Sequence, residues 1–440
     1  MAETLVNDSC LKPFFKWFLG FLVLVPGFGA HAQIQGSAGD AGQKPFTATV
    51  ALREGYDSNP LTQSYQSNQD ILSSTYTSIQ PSLGYNYVGL QADAAIRYDF
   101  SGTYFPSVNQ SYDIQYAQTL LGRYTYQFDP RTSLTLADNF IYTEAPLPQQ
   151  FAPQGITPYL TSGTINNLAT VEGNYRVTDR LSMITRWNNT LVYIGGTGSN
   201  SNYMNNGAFQ QFRLDFTPET VGTFSFDYQI YDYDNDNTYR DNQQVSFSMG
   251  ADHTFLPNLF FSGRAGIQLN DNYGLADAPT VIGDGGLGSG EQEIGATPFA
   301  SISSTWNYEE KSFVSAGFSM QVQQSNLNTS SNSEGYTLNL NWDHQFTEKF
   351  SVIQGFFINV AVFTPELSQD QSLALTGNYQ GSGQQTTVTY QCKFAYQFFP
   401  YLAGELGWNY TSYGNYFDLN NGAGGSYTRN QVYIGLRGTY

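Results

Sequence analysis

Charged side chains are scarce in this sequence. They make up 12% of its 440 residues, about half of the ~25% that is usual for soluble domains. Only 18 residues are Lys or Arg, against 36 Asp and Glu, which gives a formal net charge of -18. Nucleic-acid binding depends on clustered basic residues that neutralise phosphates. Because the basic residues here are few and scattered, we expect no nucleic-acid partner.

Long apolar runs are also missing, apart from one stretch from Trp17 to Val25. This stretch is shorter than the ~20 residues that a membrane-spanning helix needs. It follows Lys12 and Lys16 and precedes Ala30-His31-Ala32, which is the layout of a cleaved signal peptide. We therefore predict a signal peptide over residues 1–32.

Cysteine is nearly absent as well, with two in the whole chain. Cys10 falls in the predicted signal peptide, so Cys392 would be the single cysteine of the mature chain and no intrachain disulfide could form. Residues 33–45, rich in Gly, Ala and Gln, indicate a short flexible periplasmic tail. Stability must then come from the remaining residues, 46–440, without covalent cross-links.

Aromatic residues are abundant, at 16% with 33 Tyr and 32 Phe. Apolar and polar residues alternate over runs of roughly ten, a length typical of membrane β-strands. In one such run Ile96, Tyr98 and Phe100 alternate with Arg97 and Asp99. A period of two places the two sets on opposite faces of a strand. A soluble β-sandwich would show the same alternation, so alternation alone leaves the fold open.

The turns decide between a sandwich and a membrane barrel. Short connections recur around residues 88–89, 129–131, 178–180, 218–219, 256–258, 309–311, 347–349 and 400–401. Longer polar connections lie between them, including 145–163, 272–290 and 364–381. Short periplasmic turns alternating with long extracellular loops are typical of outer-membrane barrels. We predict an all-β transmembrane antiparallel up-and-down barrel over residues 46–440, with about 18 strands and a range of 16 to 20.

The C-terminal strand supports this fold. Val432, Ile434, Leu436, Gly438 and Tyr440 alternate towards a terminal aromatic residue. This pattern resembles the signal by which the barrel assembly machinery recognises outer-membrane proteins, although Gly438 stands where an aromatic residue is usual. The resemblance implies that the barrel assembly machinery is a partner of this chain. It also implies that outer-membrane lipid surrounds the chain and that the chain lies in the cell outer membrane.

Strand parity places most of the Lys and Arg residues of the mature chain, together with several carboxylates, on the polar face, where they would line the barrel interior. The candidate pore-lining residues are Arg53, Asp93, Arg97, Asp99, Arg123, Glu172, Arg176, Arg186, Arg213, Asp215, Arg264, Asp343, Lys393, Glu405 and Arg437. They could set ion or solute preference by their local field, or form salt bridges that stiffen the wall. These two interpretations carry equal weight and do not exclude each other.

Other motifs give no sign of catalysis or cofactor binding. Asp232, Asp234 and Asp236 resemble the start of a calcium loop but lack its glycine and closing glutamate. The glycine-rich run 283–290 has no following Lys-Ser or Lys-Thr. His253 and His344 fall on the apolar face beside turns, with no nucleophile motif near them. We therefore expect no catalytic, metal-binding or cofactor-binding residues, and a protein that is not an enzyme.

The segment from Leu52 to Pro60 contains Gly55-Tyr56-Asp57-Ser58-Asn59. It resembles the opening strand of bacterial outer-membrane proteins grouped as β-barrel porins of type 2. That resemblance implies a porin-like role, and our leading hypothesis is passive diffusion of small hydrophilic solutes or ions. By their length, loops 145–163 and 272–290 are candidates to fold inward and narrow the lumen. The alternative is a non-conducting surface or assembly protein linked to exopolysaccharide export or adhesion. Whether the chain forms a homotrimer stays open.

Overall fold

The computed structural model describes residues 45–62, 71–108, 113–144, 163–194, 202–234, 241–271, 295–324, 332–363, 383–417 and 426–440. The predicted signal peptide and nearly all of the predicted tail and long loops lie outside these ranges. Among the residues described, no helix is long and apolar enough to span a membrane.

The described chain forms eighteen β-strands of 12 to 17 residues. In chain order they are β1 Phe46–Asp57, β2 Ser74–Val88, β3 Ala92–Tyr104, β4 Ile114–Asp129, β5 Thr132–Thr143, β6 Thr164–Arg176, β7 Leu181–Ile194, β8 Tyr203–Thr217, β9 Thr220–Tyr233, β10 Asn242–Leu256, β11 Leu259–Asp271, β12 Gly295–Glu309, β13 Ser312–Gln324, β14 Asn332–Gln345, β15 Phe350–Phe363, β16 Gly383–Phe399, β17 Leu402–Phe417 and β18 Tyr427–Thr439. The predicted strand number is confirmed.

The strands form one closed antiparallel meander. Each strand pairs with its neighbours in sequence, and β1 pairs with β18 to close the ring, with Leu52 opposite Leu436. Closure leaves no strand edge without a hydrogen-bonding partner. In lipid each unsatisfied backbone group costs several kcal/mol, so closure is what permits a sheet to span a membrane. All eight predicted short turns join strand pairs on one side of the barrel.

Strand parity separates two faces around the whole ring. Large apolar side chains such as Leu52, Phe318 and Ile434 are exposed on the outer face. Within the described strands, no Lys or Arg lies on that face. A basic residue facing lipid at mid-membrane costs about 2–4 kcal/mol, which explains the exclusion. A closed barrel with an apolar exterior is an outer-membrane architecture, and this chain is an outer-membrane β-barrel.

Aromatic rings cluster beside the short turns on the outer face. The Phe46 and Tyr85 ring centroids lie 4.7 Å apart, and those of Phe399 and Tyr401 lie 5.6 Å apart. These amphipathic and apolar rings suit the membrane interface. Phe260, which also lies beside a short turn, instead shares the inward parity of Arg264 on the same strand.

Candidate functional site

The strand registers place every predicted pore-lining residue on the inward parity. Most lie nearer the short turns than the opposite strand ends: Arg97 is the sixth residue of β3, and Lys393 lies six residues before the end of β16. We call this ring of charges, in the middle and the periplasmic part of the lumen, the charged belt. Its members are Arg53, Asp93, Arg97, Asp99, Arg123, Glu172, Arg186, Arg213, Asp227, Asp252, Arg264, Asp343, Lys393, Glu405 and Arg437.

Glu405 is the centre of one group in the charged belt. Its carboxylate is buried and lies 2.8 Å from Arg53 Nη2 and 3.2 Å from Arg437 Nε. The three residues come together because Gly435 is the direct partner of both Glu405 and Arg53 in the sheet. With no side chain on Gly435, the Arg53 stem passes across its Cα.

Two further residues extend the Glu405 group. Lys393 interacts electrostatically with Glu405, Arg437, Arg53 and Asp343. The Arg53 guanidinium lies 4.6 Å from the ring centroid of Tyr433, a cation–π distance. Three cations therefore surround one buried carboxylate, with Asp343 more distant, and this stretch of the wall carries excess positive charge.

Asp252 is the centre of a second group. Its carboxylate lies 3.2 Å from Arg213 and 4.0 Å from Arg264, and it accepts a 2.7 Å hydrogen bond from Ser262. Asp252 is missing from the sequence prediction, although its parity matches Ser246, Ser248 and Gly250 on β10 and could have revealed it. Arg264 comes from the adjacent strand β11, and Arg213 comes from β8, which lies two strands away beyond β9.

A third group lies beside the second. Arg186 Nε donates a 2.8 Å hydrogen bond to Glu172, and the Arg186 guanidinium lies 5.2 Å from the Phe209 ring centroid. Asp227 accepts a 2.6 Å hydrogen bond from Gln229. Since β9 and β18 are nine strands apart in a ring of eighteen, the second and third groups lie opposite the Glu405 group. Solutes crossing the lumen would pass between them.

The remaining predicted residues are less closely joined. Arg97 and Asp99 pair at 2.9 Å along one strand. Arg123 is exposed to the lumen. Arg176 donates to the Asp179 carbonyl within a turn, so it belongs to the periplasmic rim. Asp215, near the end of β8, is also at that rim.

The extracellular half of the wall has its own ion pair, which the sequence prediction missed. Asp57 is fully buried and binds Arg429, with Arg429 Nε and Nη2 at 2.9 Å and 2.6 Å from Asp57 Oδ2. Gln431 donates to the same oxygen at 2.8 Å. The two partners are 372 residues apart, and only the β1–β18 register brings them together.

The chain beyond Asp57 folds over the inner wall. Ser58 N donates to the Asn430 carbonyl at 2.9 Å, and buried Asn59 donates to the Thr428 carbonyl. The Pro60 carbonyl then accepts a hydrogen bond from Gln115 on β4. Residues 58–62 therefore reach inward across the first strands at the extracellular mouth.

An apolar cluster supports this inward segment. Phe105 and Val108, which follow β3, pack with Tyr76 and Tyr433, and Leu61 joins them. Residues 58–62 and 105–108 thus narrow the mouth along this wall. Loops 145–163 and 272–290, predicted to constrict the lumen, lie outside the described residues except for Gly163.

The other candidate motifs show no constellation for catalysis. His253 Nδ1 contacts Thr220 Oγ1 at 2.8 Å, and His344 Nδ1 contacts Tyr308 OH at 2.8 Å. Both histidines face outward near short turns, packed on Phe255 and Phe346. No cluster of three or more metal-ligating side chains occurs in the described part of the chain, and Asp236 lies outside it.

Comparisons with known proteins find likeness in structure only. No family model matches the chain, and no curated protein matches it. The outer-membrane protein OpdK from Pseudomonas aeruginosa is similar over 90% of this chain and 99% of its own, at 9% identity and a TM-score of 0.44. The FrpB iron transporter from Neisseria meningitidis is similar over 90% of this chain and 81% of its own, at 8% identity and a TM-score of 0.41. The fold assignment rests on the strand ladder itself, and the type 2 porin resemblance stays a prediction.

Proposed function

We propose that this barrel is a porin-like channel for passive diffusion of small hydrophilic solutes or ions across the outer membrane. The observation that carries the proposal is the charged belt, which places almost all the basic side chains of the described strands on the lumen face. Charges on that face are favourable only where water or counter-charges solvate them. A water-filled lumen supplies that solvation and sets ion preference by local field.

The belt is nearly balanced, whereas the extracellular rim is acidic. Carboxylates at or near the extracellular strand ends are Asp113, Glu144, Asp232, Asp234, Asp241, Asp271 and Glu334. In the described part of that end, the one basic residue is Arg429, which is paired with Asp57. The rim would concentrate cations, and the Glu405 group would oppose them deeper in the lumen.

Planar-bilayer recording of the purified, folded full-length barrel tests this proposal. We expect stable single-channel conductance and a reversal potential in a salt gradient that depends on belt charges. Lys393→Gln should shift permeability towards cations, because it removes positive charge from the Glu405 group. Asp215→Asn is the matched control. It removes a negative charge at the periplasmic rim, away from the Glu405 group, so the permeability ratio should change less. A folded barrel that conducts no ions would overturn the proposal.

The second candidate is a non-conducting surface or assembly protein in exopolysaccharide export or adhesion. The inward segments 58–62 and 105–108 favour it, since they narrow the mouth. Under this function, deleting extracellular loops would abolish binding of a polysaccharide or surface partner, whereas a channel would still conduct. In either case we propose no enzymatic activity and no cofactor.

We also propose that the barrel assembly machinery recognises β18. Val432, Ile434, Leu436 and Tyr440 form an exposed outward row at the closing strand. Such a row supports recognition during insertion, before β1 and β18 pair.

A further inference from the structure

Across the middle of β5 to β8 the outer face carries more polar side chains than the rest of the described barrel, where outward residues such as Gln118 and Gln354 stand singly. Asp138, the seventh of 12 residues in β5, shares outward parity with Leu136 and Phe140. Its carboxylate accepts a 3.1 Å hydrogen bond from Asn167 on β6. This pair lies in the band between the short turns and the extracellular strand ends, where lipid chains would surround it.

The polar row continues on the next two strands. Asn189 on β7 donates to Asn206 Oδ1 on β8 at 2.9 Å and to the Asn205 carbonyl at 3.3 Å. Thr185 donates a 2.6 Å hydrogen bond to Gln210, and it lies four residues nearer the periplasmic end of β7 than Asn189 does. We call Asp138, Asn167, Thr185, Asn189, Asn206 and Gln210 the outer polar patch.

On the other described strands outward polar residues are fewer, and include Gln354 and the Glu54–Thr77 pair near the extracellular strand ends. On β13 the outward residues Val314, Ala316, Phe318, Met320 and Val322 are all apolar. Within the patch, the outward positions between the polar groups include Ala169 and Ala208, whose small side chains would let another surface approach closely.

Lipid chains cannot satisfy these groups. Each Asn amide has two donor hydrogens and an acceptor oxygen, and the bonds within the patch use only part of this capacity. Thr185 is exposed, and Asn189, Asn206 and Gln210 are partly exposed, on the outer face of the single chain. A polar group without a partner is costly in an apolar medium, so the patch calls for a polar surface against it.

We propose that the outer polar patch is the interface for a second copy of this chain in a two-fold dimer. Two copies inserted with the same orientation are related by an axis along the membrane normal, so equal depths meet. Amides are self-complementary, because each both donates and accepts, and Asn189 and Asn206 can therefore pair with their own copies.

The charges of the patch argue against lipopolysaccharide as the occupant. Phosphate recognition requires basic side chains. In the described strands no Lys or Arg faces outward, and the patch contains the carboxylate of Asp138. A phosphate group would therefore meet the Asp138 carboxylate with no basic side chain beside it. A second copy brings its own Asp138 but also amide donors that can face a carboxylate.

Disulfide cross-linking in native membranes tests the proposal on the full chain. In a Cys392→Ser background, Asn189→Cys places a thiol in the patch. We expect oxidation to give a covalent dimer of this chain. Gln354→Cys, on the outward face of β15, is the matched control and should give none. Absence of an Asn189→Cys dimer, or cross-linking to a different protein, would overturn the proposal.

A second measurement keeps the test independent of cysteine chemistry. The barrel purified in mild detergent should have twice the protomer mass. An Asn189→Leu, Asn206→Leu variant should fold into a heat-modifiable barrel of single mass, because both changes suit a lipid-facing wall. A wild-type protein of single mass, or one that retains lipopolysaccharide at the patch, would contradict dimer formation.

Discussion

At the residue scale, tyrosine rings from the neighbouring strand lie against two glycines, Gly407 and Gly55. The Tyr433 ring lies across Gly407, and Tyr76 Cζ would be 2.6 Å from a Cβ added at Gly55. Tyr433 in turn supports the Arg53 guanidinium. Glycine is required at these positions because the ring occupies the space of a side chain.

Gly407→Ala should therefore destabilise the barrel by about 1–3 kcal/mol, the usual cost of overpacking. The cause is displacement of Tyr433, so the variant should also disturb Arg53. Gly122→Ala is the matched control, because a Cβ there has nothing within 4 Å. Chemical unfolding in detergent measures the difference, and equal stability of the two variants would contradict this account.

Glu405→Gln removes the buried carboxylate that contacts both Arg53 and Arg437. Breaking one side of a buried pair costs about 3–5 kcal/mol, and the lumen-exposed arginines should bring the loss to the low end. We expect a lower free energy of unfolding and partial recovery in the Arg53→Gln, Glu405→Gln double variant. If the single variant matched the wild type, the ion pairs would be dispensable to the fold.

At the element scale, sequence predicted the strands and short turns closely. A one-residue slip would turn a whole strand inside out, so alternation specifies each strand strongly when one side meets lipid. Alternation could not predict which side chains contact one another. Parity assigns Arg213 and Arg264 to the lumen, but only the registers of β8 to β11 bring both to Asp252. Asp138 and Asn167 break the alternation, which marks a surface that lipid alone does not explain.

The ion pair between Asp57 on β1 and Arg429 on β18 gives a prediction at this scale. Arg429→Ala should release residues 58–62 from the wall, because it removes all three hydrogen bonds from Arg429 to Asp57. If the barrel conducts, its single-channel conductance should rise. Arg180→Ala, an exposed change at a short turn, should leave conductance unchanged. A lower or constant conductance in Arg429→Ala would show that the segment does not restrict the mouth.

At the scale of the whole molecule, we expect Tyr440 to affect assembly in cells but not the stability of the folded barrel. This residue is 78% exposed, so Tyr440→Ala should leave the unfolding free energy of the refolded barrel within about 0.5 kcal/mol of wild type. Its insertion in cells should fall if the assembly machinery reads the last strand. Heat-modifiability assays on refolded and cell-derived protein compare the two, and equal yields in cells would argue against recognition of Tyr440.

Ala48 and Tyr440 exchange backbone hydrogen bonds across the closing seam, with Tyr440 N donating to the Ala48 carbonyl at 2.8 Å. Residues 48 and 440 are thus adjacent, and β1 and β18 are hydrogen-bonded neighbours like any other pair of strands in the ring. A circular permutant that links the two ends by a short bridge and opens at Pro218-Glu219 should build the same wall from a different first strand.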